Sequence, residues 1–87
     1  EPDDAEYRVD LGVVLWRLGD FVGAEEQLRA ALERGAPEAA VRAGLSLVLA
    51  DAGDAAGAAA ERDRAMAAGA DDAAAAFEAL EGLRGGT

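Results

Sequence analysis

Apolar side chains near the start of the chain fall at Tyr7, Leu11, Val14, Leu15 and Leu18, the i, i+4, i+7, i+8, i+11 series of one helix face. Gly19-Asp20 then supplies a helix-ending glycine and an N-cap for a second helix, where Phe21, Ala24, Leu28, Ala31 and Leu32 continue the period to Gly35. Pro37 takes a favoured first-turn position of a third helix, and Val41, Leu45, Val48, Leu49 and Ala52 repeat the face of the first. Gly53-Asp54 repeats the turn, after which the pattern thins to Ala58, Ala65 and Met66 before Gly69. Asp71 is placed to cap a fifth helix running to about Leu83, with 84–87 as a fraying tail. No segment alternates with β-branched residues, so no strand competes. The spacing predicts an all-α chain of five helices in antiparallel pairs joined by short turns.

A shift of 34 residues lays 5–38 over 39–72 with twelve identities: Ala5/Ala39, Arg8/Arg42, Leu11/Leu45, Val14/Val48, Leu15/Leu49, Gly19/Gly53, Asp20/Asp54, Gly23/Gly57, Ala24/Ala58, Ala31/Ala65, Gly35/Gly69 and Ala36/Ala70. The Gly-Asp pairs are not coincidences of an alanine-rich composition. One domain over 1–87 is therefore expected, with a first repeat at about 5–38, a second at about 39–72 and a terminal helix at about 72–84.

The first helix carries more large apolar residues than one buried face needs. At 100° per residue, Val9, Val13 and Trp16 form a second stripe opposite the Tyr7 to Leu18 stripe. The first stripe is expected to pack on the second helix, and the second stripe cannot reach that core.

Leu11-Gly12, Leu15, Gly19-Asp20-Phe21, Ala24, Leu28, Ala31-Leu32 and Pro37, one place later than usual, together resemble the tetratricopeptide repeat (TPR) family over about residues 5–72. Residues 73–84 resemble its terminal solvating helix. The resemblance implies a right-handed superhelix of antiparallel helix hairpins, two repeats plus a C-terminal capping helix, whose first-of-pair helices line a concave surface. Val9, Val13 and Trp16, joined at the repeat offset by Ala43, Leu47 and Ala50, would form an apolar groove there, bordered by Arg17 and Asp51 and closed by Phe77. The family commonly binds proteins, which implies a protein or peptide partner with Trp16 as its anchor. Three occupants remain open: an apolar or amphipathic segment of a partner, a second copy in a homodimer, or internal cover by the N-terminal segment, the fifth helix or a further repeat. One branch of the family clamps a C-terminal carboxylate with basic and Asn residues; the corresponding positions here are Val9, Val13 and Gly44, so apolar ligands are expected instead. Departures from the pattern are Arg8 and Arg42 at a position usually large, Ser46 for a second glycine, and Arg62 for a bulky apolar residue. A thinly packed second repeat follows, since each lost side chain forgoes about 1.5–3 kcal/mol of burial.

Charge and composition narrow the partner classes. Eight Arg against 18 Asp plus Glu leave a net charge of -10, which argues against nucleic acid and anionic membrane, both of which need clustered positive charge. An 87-residue chain buries only about 60% of its unfolded surface or slightly more, so stability rests on many modest contacts. With no Cys there is no disulfide framework, and no apolar run approaches about 18 residues. A cytoplasmic setting is the default expectation. The chain starts at Glu1 without Met, which suggests a processed chain or an excised piece, such as an accessory domain of a larger protein. The absence of Lys, His, Asn and Ile beside abundant Ala, Gly, Asp and Arg fits a GC-rich coding genome.

Catalytic chemistry has few residues to work with, because there is no His, Cys or Lys and only one Ser and one Tyr. Ser46 reads as a small residue at a tight helix crossing, and Asp20 and Asp54 as caps. Asp3-Asp4 and Asp71-Asp72 suit helix starts, where negative charge meets the positive end of the dipole. Asp51 to Gly57 lacks the oxygen spacing of a calcium loop, and the glycine clusters lack the context of a phosphate loop. Glu25-Glu26, Glu33, Glu61 and Asp63 are expected on solvated outer faces with some i,i+4 pairing. A non-catalytic interaction module without metal or cofactor is the resulting expectation.

Overall fold

The computed structural model describes residues 4–85, which form α1 (Ala5–Arg17), α2 (Phe21–Glu33), α3 (Glu38–Asp51), α4 (Ala55–Ala68) and α5 (Ala70–Gly85). The all-α class read from the periodicity is the one observed. Asp3, expected at a helix start, and Gly86 and Thr87, expected in a tail, lie outside the described residues. Arg84 belongs to α5 and is engaged with α3, so it is not part of a fraying end. Asp71 sits inside the first turn of α5, which starts one residue earlier, at Ala70.

Both hairpin turns are built the same way. Asp20 accepts a hydrogen bond from the Gly23 amide at 2.9 Å, and Asp54 accepts one from Gly57 at 2.8 Å. The preceding Gly19 and Gly53 adopt left-handed φ values of 87° and 92°, which reverse the chain and let the backbone amides of Asp20 and Asp54 donate back to the Leu15 and Leu49 carbonyls.

α1 packs on α2 and α3 on α4, α2 joins the two pairs through α3, and α5 lies mainly against α3 and less against α4. With neighbours on three sides, α3 buries nine of its 14 residues, among them Val41, Leu45, Leu47, Val48 and Leu49. The second repeat is therefore the better packed of the two, contrary to its thin apolar pattern. Two of its departures compensate one another. In the first repeat Leu28 presses on Gly12 so closely that a Cβ there would stand 2.9 Å from the leucine side chain. In the second, the residue equivalent to Leu28 is Arg62, which swings outward over the Phe77 ring at 4.6 Å. That leaves room for Ser46, whose hydroxyl donates to the Ala58 carbonyl across the helix crossing at 3.0 Å.

The other departures form a polar device that recurs at the repeat offset. Arg8 Nη1 donates to Gln27 Oε1 at 3.0 Å, and the equivalent Arg42 Nη1 donates to Glu61 Oε1 at 2.9 Å. Glu61 is 1% exposed, a correction to its expected place on a solvated face. It persists as an ion because Arg29 of α2, Arg42 of α3 and Arg64 of α4 all donate to it, at 3.1, 2.9 and 2.9 Å. Burial alone would raise its pKa, but the hydrogen bonds from Arg42 and Arg29 and their charges outweigh that and hold it below the ordinary carboxylate value. Glu25 and Glu38 hold Arg29 and Arg42 from behind, at 3.0 and 2.8 Å.

The outer stripe of α1 departs from expectation in another way. Leu11 and Leu15 are half-buried, but Tyr7, Val14 and Leu18 are 55%, 51% and 76% exposed. Their equivalents Val41 and Val48 on α3 are 3% and 2% exposed. α2 packs against α3, and no described helix stands in that relation to α1.

Candidate functional site

An open cleft of about 620 Å³ runs between α1, the α2–α3 turn, α3 and α5. Val9 and Val13 of α1, Leu28 of α2, Val41 and Gly44 of α3 and Leu80 of α5 give it an apolar lining. Its remaining walls are small: Ala36 and Pro37 in the turn, Ala40 on α3, and Ala76 and Ala79 on α5. Asp4, Glu6 and Asp10 stand along the α1 rim. The local reasons are plain in the helices. Val9 and Val13 are i and i+4 on α1, Ala40 and Gly44 on α3, and Ala76 and Leu80 on α5, so each helix contributes one pair to the same trough. Gly44 keeps α3 thin, since a Cβ there would touch Leu28 at 3.5 Å and Leu80 at 3.6 Å.

Trp16 lies outside this opening. The side chain is 6% exposed, and its indole Nε1 donates to Asp51 Oδ2 at 2.7 Å. Arg84 of α5 reaches across to donate to Asp51 Oδ1 at 2.7 Å and to the Leu47 carbonyl at 3.5 Å, with its guanidinium 5.8 Å from the Trp16 ring. Beneath, Trp16 shares with Leu47, Gly44 and Leu80 a void of about 10 Å³, no larger than a single water. The fifth helix thus covers Trp16, one of the occupants left open for the inner stripe.

Of the seven residues expected at the groove, Val9 and Val13 line the cleft. Trp16 and Leu47 are buried beside it, and Asp51 is the polar partner of Trp16, tied to Arg84. Arg17 is exposed on a shallower surface shared with Phe21 and Leu83. Phe77 does not close the cleft, because it is buried on another side of α5, beneath Arg62. The residues that do close it are Ala76, Ala79 and Leu80. Sequence reasoning passed over them because two are alanines; the signal available was the run Ala73, Ala76, Phe77, Leu80, an i, i+3, i+4, i+7 face of α5.

Among the described residues, no group of three or more acidic side chains is placed to hold a metal ion, and no helix is long and apolar enough to cross a membrane. A family model described as tetratricopeptide repeat matches the chain over residues 1–39 and again over 9–73. No curated protein and no solved structure matches it.

Proposed function

The chain belongs to the tetratricopeptide repeat family, and from that premise we propose that the cleft between α1, α3 and α5 receives an apolar segment of a partner protein. Repeats of this family generally mediate protein–protein interaction and are typically non-catalytic. The observation that carries the finer reading is the cleft itself: an open trough with a Val9, Val13, Leu28, Val41 and Leu80 lining and alanine walls. Small walls around a greasy floor suit one or two bulky side chains from outside, each gaining about 1.5–3 kcal/mol on burial. Asp4, Glu6 and Asp10 on the rim add a preference for Arg or Lys beside that apolar residue, an effect weakened by salt. Trp16 acts in this reading as a support, fixing the α1–α3 spacing through Asp51, rather than as the anchor.

The test is selection of a random-peptide display library on the wild-type chain and, in parallel, on Val13→Asp, with circular dichroism showing that both are folded. Sequences pairing a bulky apolar residue with Arg or Lys should be enriched on the wild type alone. Equal enrichment of those sequences on both chains, or none on either, removes the cleft as the site.

A further inference from the structure

We infer that α5 is exchangeable between two copies of this chain: when Gly69 turns helical, α4 and α5 join into one helix, and the α5 of each copy covers Trp16 of the other. The inference does not rest on the cleft's receiving a partner protein.

The joint between α4 and α5 carries it. α1 and α2 are linked by residues 18–20, α3 and α4 by 52–54, and α2 and α3 by 34–37, and each of these links contains a left-handed glycine, Gly19, Gly53 or Gly35. α4 and α5 are separated by Gly69 alone, whose φ of 171° is extended. Helical bonding already reaches this residue from both sides. Its amide donates to the Ala65 carbonyl at 3.1 Å, and its carbonyl accepts from the Ala73 amide at 2.8 Å, each a four-residue step of an α-helix. A continuous helix then requires new bonds only from the amides of residues 70–72 to the carbonyls of 66–68.

The equivalent joint in the first repeat is barred from this change, and the sequence shows why. Gly35 and Gly69 correspond at the 34-residue offset, as do Ala36 and Ala70, but Pro37 corresponds to Asp71. Proline lacks the amide that a continuous helix needs, and its ring clashes with the carbonyl four residues before it, so α2 and α3 stay apart. Asp71 imposes neither restriction. Alanines at 65, 67, 68, 70 and 73 favour the helical state around Gly69.

Exchange keeps the contacts that hold α5 in place. Ala73 and Phe77 are buried, Leu80 is half-buried, and Arg84 pairs with Asp51 at 2.7 Å. The same surfaces meet when α5 lies on α3 of the second copy, so the closed and exchanged forms differ mainly at the joint and in the cost of bringing two chains together. A one-residue joint disfavours closure relative to exchange. In the exchanged pair the cover of Trp16 is incomplete without the second copy, which supplies Leu80 and Arg84.

The test is molar mass by light scattering after refolding from urea at concentrations up to about 1 mM. A Cβ at Gly69 would meet Ala39 at 3.5 Å, an ordinary contact, so Gly69→Ala leaves the closed form intact. It favours the joined helix in both copies, and should raise the dimerisation constant about thirtyfold over the wild type. Inserting two glycines after Gly69 should lower that constant by about tenfold or more. Asp51→Arg and Arg84→Asp chains each place like charges together when closed, whereas exchange between the two kinds of chain restores opposite charges at both sites. Refolded together they should give a mixed dimer that neither gives alone, with helical circular dichroism showing that both are folded. A Gly69→Ala chain that stays monomeric throughout overturns the inference. So does a dimer indifferent to the two added glycines, or a mixture that yields no mixed dimer.

Discussion

Val48 on α3 and Val14 on α1 hold equivalent places in the repeat, yet one is sealed in the core and the other is half exposed. The same is true of Val41 and Tyr7. Equivalent local patterns have met different neighbours: among the described residues α3 is flanked by α2, α4 and α5, whereas α1 has α2 as its one extensive neighbour. In a stacked array a helix is stabilised by the pair before it as well as by its own partner. The apolar series on α1 is therefore half used within the described residues.

The largest expected contrast comes from placing a charge at the equivalent valines. Val48→Asp would bury an unpaired carboxylate at a cost of several kcal/mol, enough to unfold so small a domain. Val14→Asp should change monomer stability by no more than about 0.5 kcal/mol. Helical circular dichroism of the two variants separates these outcomes, and equal loss in both would show that α1 is packed as tightly as α3. Shortening the equivalent leucines is a milder form of the same comparison. Leu45→Ala removes a fully buried side chain and should cost about 3 kcal/mol in urea unfolding. Leu11→Ala, at a half-buried site, should cost about 1 kcal/mol.

The two Arg pairs sharpen the comparison electrostatically. Glu61→Gln makes the second repeat resemble the first, where Arg8 meets Gln27, and should cost about 2 kcal/mol at pH 7 because three arginines lose a shared counter-charge, Arg29 and Arg42 keeping only Glu25 and Glu38. The folded-state pKa of Glu61 is depressed, so its contribution is fully present above the unfolded value of about 4.3 and is lost as pH falls through the folded value. The gap between wild type and Glu61→Gln should accordingly be constant near neutrality and shrink in acid; a gap that persists unchanged at about pH 2 would assign the effect to packing alone. The smallest effect is at the closed end of the cleft. Trp16→Phe deletes the bond to Asp51 and should cost about 1 kcal/mol. Arg84→Ala should leave the fold in place while shifting Trp16 fluorescence to the red, as its cover opens.

Much of this molecule is legible from short stretches of chain. Asp20 and Asp54 cap their helices as the Gly-Asp pairs indicate, and the five helices follow the 3.6-residue period. Ser46 lies at a tight crossing, as a lone small polar residue mid-helix suggests. Glu61 was not legible, because a carboxylate reads as solvated unless its partners are known, and those partners come from positions 29, 42 and 64 on three helices. The candidate site was half legible: Val9 and Val13 were found, whereas Ala76, Ala79 and Leu80 were obscured by the low hydrophobicity of α5.

The sequence by itself determined the helices, their turns and the repeat, because each rests on interactions spanning a few residues: caps, left-handed glycines and side chains one turn apart. It also placed two apolar stripes on α1, but assigned the Tyr7 to Leu18 stripe to the core and the Val9, Val13 and Trp16 stripe to an open groove, whereas Trp16 is buried and Tyr7, Val14 and Leu18 are exposed. Only the tertiary structure decided which residues of each stripe are buried, when α5 lay across α3 so that Leu80 and Arg84 covered Trp16 while Tyr7, Val14 and Leu18 were left exposed. The physical reason is that burial is non-directional: two equally apolar faces have equal claims on the core, and the choice falls to whichever face the distant helices can reach.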